Sequence, residues 1–344
     1  MVEELISEGF DVVAAGLDRL GEAYYARRKI PFARVDITKE EQFAKLPARA
    51  DVSSVVNLAC LQPANVSEEE YSPSEYVRVN VLGTLNILEF CRRAGVRKII
   101  CAISHRTIQG LWERGQVITE DDTKAIKYKG EYAMYSISES AAADCVLHYG
   151  EEYGIRAIVF RLPPVYGYGP HTEGFKRGKP QKTGFQVFIE RASNGEPIEL
   201  WGDCEKARDI IYVKDVASAI VLALRSDKAQ GLYNIASGKQ LSLREEAEEI
   251  TKAFSPEDHR SRITYRPDKP NSIESFLYDI SKAKRDLGWS PKYSFADMLA
   301  DYKKEMKSGR FSFLVEKRRR MMRQQHKRAA APLKNDYERS TGDE

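Results

Sequence analysis

Short apolar runs alternate along this chain with longer stretches in which apolar residues recur every three to four positions. Residues 11–17, 32–35, 52–59, 98–104 and 157–162 are runs of the first kind, and their length predicts buried strands. Residues 73–94 carry Tyr76, Val77, Val79, Leu82, Leu85, Leu88 and Phe90 at helical spacing, and residues 135–153 repeat the rhythm, so both predict helices. Residues 1–9 read as the end of an amphipathic helix closed by a glycine. Strands alternating with helices of this length predict an α/β fold with a parallel, doubly wound sheet.

Past residue 170 the pattern is mixed. Residues 171–183, rich in Gly, Lys and Pro, read as a loop, followed by helices near 185–194, 215–225 and 243–254 and short strands near Ile198 and Ile210. Beyond about Phe313 the chain is polar and basic, with too little apolar content to order it alone. A helix over 316–328 is compatible with the pattern, without an evident partner. The expected organisation is an α/β domain over 1–170, a smaller mixed α/β region over 171–313 partly interleaved with it, and a basic, disordered tail over 314–344.

Charge changes this picture little. The formal net charge is +3, and residues 317–328 hold seven Lys or Arg and no acid, so the globular part is slightly acidic. A balance this small gives no reason to assign a nucleic-acid or membrane partner. The five cysteines, Cys60, Cys91, Cys101, Cys145 and Cys204, are widely spaced and never form a CxxC pair, which argues against a disulfide framework and a metal site. No apolar run approaches the roughly 18 residues that span a bilayer. The first ten residues lack the pattern of a signal peptide. A cytoplasmic protein is the expectation.

Motifs then follow in a fixed order. Asn57-Leu58-Ala59 ends one strand, and Asn80-Val81-Leu82-Gly83-Thr84 lies in the next helix. Ser104 to Gly110 follows a strand, and Tyr135-Ser136-Ile137-Ser138-Glu139 opens a helix. Later come Arg161-Leu162-Pro163-Pro164-Val165-Tyr166-Gly167, Arg208-Asp209-Ile210-Ile211-Tyr212-Val213 with Asp215-Val216-Ala217, Tyr233-Asn234-Ile235-Ala236-Ser237-Gly238, and Leu287-Gly288-Trp289-Ser290-Pro291. In this order the series, from residue 1 to about 302, resembles the extended short-chain dehydrogenase/reductases of the NAD-dependent epimerase/dehydratase family, which modify nucleotide-linked sugars.

The resemblance implies a Rossmann domain that opens with a buried strand and a GxxGxxG turn, where backbone amides meet the cofactor pyrophosphate. Residue 1 already falls inside the helix that follows, so strand and turn are expected to be missing. The strand's place is central, between those beginning near Val12 and Val52, and its loss leaves two rows of unpaired backbone groups. The expectation is a start set too late or a damaged gene; a chain folded without that strand needs another segment in the slot.

For the cofactor, the resemblance implies NAD. Asp18 stands where a carboxylate accepts both adenosine ribose hydroxyls and repels a 2′-phosphate, favouring NAD over NADP; an ordinary loop acid is the equal alternative. Asp36 resembles the acid beside the adenine, Leu58 and Ala59 offer backbone to the cofactor, and Asn80 matches the helix asparagine that orders adjoining segments. Pro163 is placed beside the cofactor and Pro164 beside the substrate. Arg208 resembles the arginine that grips the nucleotide diphosphate, the alternative being an ion pair with Asp209.

The catalytic set departs from the family. A Ser or Thr, a Tyr and a Lys four residues after it act together there, the Lys cation lowering the phenol pKa from about 10. Tyr135 is present, but the Lys position is Glu139, whose carboxylate disfavours phenolate while still able to accept ribose hydroxyls. The Ser/Thr position is His105, with Ser104 before it; His105 is either a donor to a sugar oxygen or a drifted loop residue. Lys127 and Lys129 are either a substitute cation or a solvated loop. Arg106 and Thr107 occupy the places of the acidic pair of 4,6-dehydratases, which weighs toward epimerase or oxidoreductase chemistry. An enzyme, an impaired binding or regulatory protein and a truncated gene product all stay open. The resemblance also implies homodimerisation through helices 73–94 and 135–153.

Overall fold

A computed structural model gives the structure of residues 1–17, 19–46, 52–66, 71–122, 124–169, 173–176, 179–318 and 320. In chain order the elements are helix α1 (Val2–Ser7), strand β1 (Ala14–Gly16), α2 (Arg19–Ala26), β2 (Phe32–Arg34), β3 (Ser54–Asn57), α3 (Pro73–Tyr76), α4 (Gly83–Ala94), β4 (Lys98–Ser104), β5 (Val117–Ile118), α5 (Ala133–Tyr153) and β6 (Arg156–Leu162). There follow β7 (Val165–Tyr166), β8 (Glu173–Lys176), β9 (Lys179–Lys182), α6 (Gly184–Ser193), β10 (Ile198–Trp201), β11 (Ala207–Asp209), β12 (Ile211–Tyr212), α7 (Val213–Arg225), β13 (Gly231–Asn234), β14 (Gln240–Ser242), α8 (Leu243–Phe254), β15 (Ile263–Arg266), β16 (Leu277–Tyr278), α9 (Ser281–Leu287) and α10 (Phe295–Ser308).

The centre is a parallel sheet of four strands in the order β13-β6-β4-β3. Side chains alternate across a strand, and β4 is apolar at successive positions because both of its faces are covered. Ile99 packs with Leu88 and Cys91 of α4 and Val146 of α5, whereas Ile100 packs with Ala219, Ile220 and Ala223 of α7. That is the doubly wound α/β architecture. Between α3 and α4 the helix widens into a π turn over Val77–Leu82, which carries Asn80.

A second lobe packs Ile189, Ile198, Leu200, Ile250, Phe254, Leu299 and Tyr302 into its own core. Two buried carboxylates tie it to the sheet. Asp209 accepts from Ser237 N at 2.9 Å, Ser237 Oγ at 2.6 Å and Gly238 N at 3.1 Å. Asp215 accepts from Lys292 N at 2.8 Å and Tyr293 N at 3.3 Å, and its carbonyl takes Trp289 Nε1 at 3.1 Å. The C-terminal motifs of the sequence are therefore strand-to-loop clasps as well as site elements.

The sheet is split. β1 and β2 form a separate parallel pair, and among the described residues no strand joins β1 to β3. Ala14 N donates to Pro31 O and Gly16 O accepts from Val35 N. Successive residues of a parallel ladder turn their peptide groups to opposite sides, so those of Ala15 face away from β2. Ser53 O accepts from Arg97 N, so the peptide groups of Ser54 and Val56 face away from β4. A cavity of about 2330 Å³ lies between these edges, lined by residues 11–17 and 52–62.

Three expectations need correction. Residues 11–17 do not form a buried strand: only Ala14–Gly16 is extended, and Val13 and Leu17 are 42% and 60% exposed because their neighbour on that side is the cavity. The loop expected over 171–183 contains an antiparallel pair, β8 with β9, in which Phe175 is buried. Order also continues past Phe313. Residues 312–318 are helical, Val315 is buried, Arg310 donates to Glu3 at 3.0 Å, and Arg318 donates to Asn65 Oδ1 at 3.2 Å. The rest of the expected tail, 319 and 321–344, lies outside the described residues. No helix among the described residues is long and apolar enough to cross a membrane.

Candidate active site

The site forms where β3, β4 and β6 end and α5 begins, the carboxyl edge at which open α/β sheets place their ligands. Ser104 is the last residue of β4, and Tyr135 sits in the first turn of α5. Glu139 is one helical turn further on, on the same face. Its Oε2 accepts the Ser104 backbone N–H at 3.1 Å, so the carboxylate caps the end of β4. Tyr135 and Glu139 are both buried.

Asn80 holds the neighbouring loop. Its Oδ1 accepts Leu61 N at 2.6 Å, and its Nδ2 donates to Leu61 O at 3.1 Å and to Ser138 Oγ at 2.9 Å. The π turn of Val77–Leu82 aims this side chain at both segments. The clamp sets Cys60 against Tyr135, with Tyr76 and Val66 in the same apolar cluster.

The electrostatics follow from burial. Burial first, then the Glu139 carboxylate and Cys60, push the Tyr135 phenol well above its ordinary range, against the Ser104 hydroxyl and the Arg106 cation. Burial also raises the Glu139 carboxyl to about 7, against the bonds from Ser104 N and Tyr135. The Cys60 thiol goes up to about 12 through burial and the nearby Glu139. Tyr135 is thus poorly disposed to ionise, whereas Glu139 exchanges its proton near neutrality.

His105 follows Ser104 and stacks on Trp112 and Phe276, with ring centroids 5.1 and 5.6 Å away. Its Nδ1 lies 3.1 Å from the Leu162 carbonyl, which only accepts, so Nδ1 carries the proton and Nε2 is left as an acceptor. Burial and the nearby Arg106 push its pKa down to about 3. The ring is neutral, and the expectation of a donor to a sugar oxygen does not fit this tautomer. Arg106 lies over the Tyr132 ring at 3.5 Å and donates to Gln109 Oε1 at 3.2 Å. Thr107 donates to Ser104 O at 3.0 Å. Neither position holds an acid. Lys127 pairs with Glu274 and Lys129 is exposed; the cation that acts on Tyr135 is Arg106.

Arg208 lies on β11. Its Nη2 donates to Tyr166 Oη at 2.9 Å and reaches Glu246 Oε2 at 3.5 Å, while Tyr166 donates to Glu246 Oε1 at 3.0 Å. The expected alternative, an ion pair with Asp209, is not formed, because Asp209 is engaged by Ser237 and Gly238. Arg208 Nε has no partner among the described residues. Pro163 is buried, and the Pro164 carbonyl accepts Ile211 N at 3.0 Å, which joins the end of β6 to this second half of the site.

Of the expected cofactor positions, Asp36, Leu58 and Ala59 line the large cavity, whereas Asn80, Tyr135, Glu139 and Pro163 do not. Asp36 Oδ1 accepts Thr38 N at 3.0 Å and Thr38 Oγ1 at 2.8 Å; Leu58 and Ala59 are exposed, and Ala59 N donates to Asn57 Oδ1 at 3.0 Å. Asp36, Leu58, Ala59 and Cys60 all face one continuous space, and Cys60 also packs in the apolar cluster of Tyr135. Asp18 lies outside the described residues. Among the described residues no cluster of His, Cys, Asp or Glu could hold a metal ion, and all five cysteines are free.

Sequence reasoning missed Cys60, Arg106, Tyr166 and Glu246 as members of the site. Tyr166 stood inside a quoted motif and could have been found there. Glu246 lies in a helix whose charges look like any solvated face.

Comparisons with known proteins bear on the fold and the family. The model of the NAD dependent epimerase/dehydratase family matches residues 1–236. The low-salt glycan biosynthesis protein Agl12 of Haloferax volcanii is 31% identical over 268 residues, 78% of this chain and 79% of that protein. The UDP-glucuronate 4-epimerase of Thermodesulfobacterium geofontis is 26% identical over 86% of this chain and 88% of its own length. Among solved structures, the UDP-glucose 4-epimerase of Thermus thermophilus in complex with NAD superposes with a TM-score of 0.70 at 27% identity, covering 89% of this chain and 94% of that one.

Proposed function

Because the chain belongs to the NAD-dependent epimerase/dehydratase family, we propose that it holds NAD along the carboxyl edge of its sheet and acts on a nucleotide-linked sugar as an epimerase or oxidoreductase. The observation that carries this reading is the pairing of two half-sites: Ser104, Tyr135 and Glu139 on one side, and Arg208, steadied by Tyr166 and Glu246, on the other. Bound NAD supplies a hydride acceptor and donor. The chain's part is to orient and to handle protons. Asp36 and the backbone at Leu58 and Ala59 hold the cofactor, and Arg208 binds the nucleotide diphosphate through its guanidinium fork. Pro163 and Pro164 border the cofactor and the sugar. His105 Nε2 accepts from a sugar hydroxyl, and Tyr135 addresses the reacting oxygen. The absence of an acid at Arg106 and Thr107 leaves no group to protonate a departing hydroxyl, which disfavours 4,6-dehydration.

Calorimetry with NAD and NADP, followed by chromatography of UDP-glucose and UDP-glucuronate after incubation with NAD, tests the proposal. Tighter NAD binding and a new UDP-sugar peak are expected. Absence of both sinks the reading. Binding without conversion supports a second reading, an impaired binding protein, which the raised phenol pKa beside Glu139 favours. Homodimerisation through 73–94 and 135–153 belongs to the proposal and is checked by sedimentation. So does a cytoplasmic location, which the free cysteines favour.

A further inference from the structure

Glu139 has no obvious place in chemistry that relies on a cation beside the phenol. It is nonetheless not a stray surface acid. It is buried, it is one turn from Tyr135 on the same helix face, and it is fixed in position by the Ser104 amide. The groups around the pair are the Ser104 amide and hydroxyl and Cys101 from β4, Cys60 from the loop after β3, Tyr76 from α3, whose phenol burial raises to about 12, and Arg106 from the turn after β4. Both thiols are raised to about 12 and stay neutral, so they compete for no proton near neutrality.

We infer that Glu139 is the proton acceptor behind Tyr135: the phenol takes the proton of the reacting sugar hydroxyl while passing its own proton to the Glu139 carboxylate. The inference rests on the NAD-dependent reading above. The substrate O–H bond breaks and a Tyr135 O–H bond forms; the old Tyr135 O–H bond breaks and a Glu139 O–H bond forms. The hydride leaves the same sugar carbon for NAD, which is reduced, and the reverse transfer restores every group. No free phenolate is needed, so the unfavourable neighbourhood of Tyr135 and a carboxylate ceases to be an obstacle. A carboxylate serves as such an acceptor when its affinity for protons matches working pH, and burial sets Glu139 there.

The test uses the full chain with Glu139→Gln, Glu139→Lys and Tyr135→Phe. Infrared difference spectra between acid and alkaline pH, taken without cofactor, should contain a carboxylic-acid band that titrates near pH 7. That band should vanish in Glu139→Gln and titrate higher in Tyr135→Phe, where one stabilising hydrogen bond is gone. With NAD and a UDP-sugar, kcat should rise with pH through the same transition. Glu139→Gln should lose that limb and fall roughly 100-fold or more, the usual contribution of a positioned acid or base, with NAD binding retained. A band insensitive to Tyr135→Phe, an unchanged profile in Glu139→Gln, or a Glu139→Lys rate above wild type overturns the inference. Failure of NAD to bind at all rejects the broader reading instead, and the cofactor-free spectra still decide whether the two groups share a proton. Thermal melts of each variant exclude unfolding as the cause.

Discussion

The two ends of the sheet are built to different standards. Around β4, β6 and β13 every strand has two neighbours or a covering helix, and buried carboxylates pin the following loops: Asp209 takes four donors and Asp215 two backbone amides. Around β1 and β2 the strands are three residues long, Val13 and Leu17 are exposed, and a cavity stands where a neighbour would sit. The half proposed to handle the sugar is therefore densely pinned, whereas the half proposed to hold the adenosine end of the cofactor is loosely joined. Stability is distributed unevenly in proteins, and weakly packed regions open first; here the division runs through the proposed cofactor site.

The largest test of this contrast is a pair of substitutions. Asp209→Ala strands the Ser237 and Gly238 amides in the core and should cost about 3 kcal/mol or more. Val13→Ala should stay within about 0.5 kcal/mol. Urea unfolding midpoints compare them, and equal losses would erase the distinction.

Glu139→Gln sharpens the comparison from the rigid side. The folded pKa is raised from 4.5 to about 7, so the native state binds the extra proton. The stability linked to Glu139 is complete below pH 4.5 and is lost as pH rises through 7. The variant should therefore match wild type at pH 4 and exceed it by roughly 3 kcal/mol at pH 9, at about 1.4 kcal/mol per pKa unit. Unfolding curves across that range decide it.

His105 has the opposite sign. Its folded pKa is depressed from 6.5 to about 3, so its contribution is present above pH 6.5 and is lost as pH falls toward 3. Relative to His105→Phe, wild type should lose about 3 kcal/mol between pH 7 and 4. A constant gap between the two proteins over that range would show that the ring is free to charge.

A smaller effect than these three is expected from the C-terminal segment on the open side. Truncation after Phe313 removes the buried Val315 and the Arg318–Asn65 contact. It should lower stability by about 1–2 kcal/mol, the value of one aliphatic side chain. Hydrogen exchange should place the loss in α1, β1 and α2 and spare β4 and β6.

The sequence made the rigid half readable. β4 was legible to its last residue, because a strand covered on both faces is a continuous apolar run, and α5 and α8 followed from helical spacing. The Arg208, Tyr233 and Trp289 motifs fixed the order of the elements after β6. The parallel α/β fold and its family were legible for these reasons. The site was legible as residue types, not as contacts. Arg208 was singled out, but its partner Glu246 is a distant acid on an ordinary amphipathic helix. Glu139 was recognised as a substitution, but its bond to the Ser104 amide depends on how far α5 stands from the end of β4. Cys60 was read only as one of five widely spaced cysteines, and the Asn80 clamp is what brings it to Tyr135. The strand over 11–17 failed because an apolar run predicts burial only if something arrives to bury it.

The peptide groups of Ala15, Ser54 and Val56 that face the cavity have a meaning beyond the interior of one molecule. Unpaired strand edges act as templates for any extended chain that reaches them, and most proteins blunt such edges with charge, proline or a cover. The apolar Val13, Leu17 and Val56 beside these edges bring no charge to repel a visitor. Crowding is thus a hazard for this molecule in a way that heat is not. Its solubility should fall with its own concentration well below the unfolding temperature, and a single lysine at Val13 should do more to keep it in solution than any repair of its core.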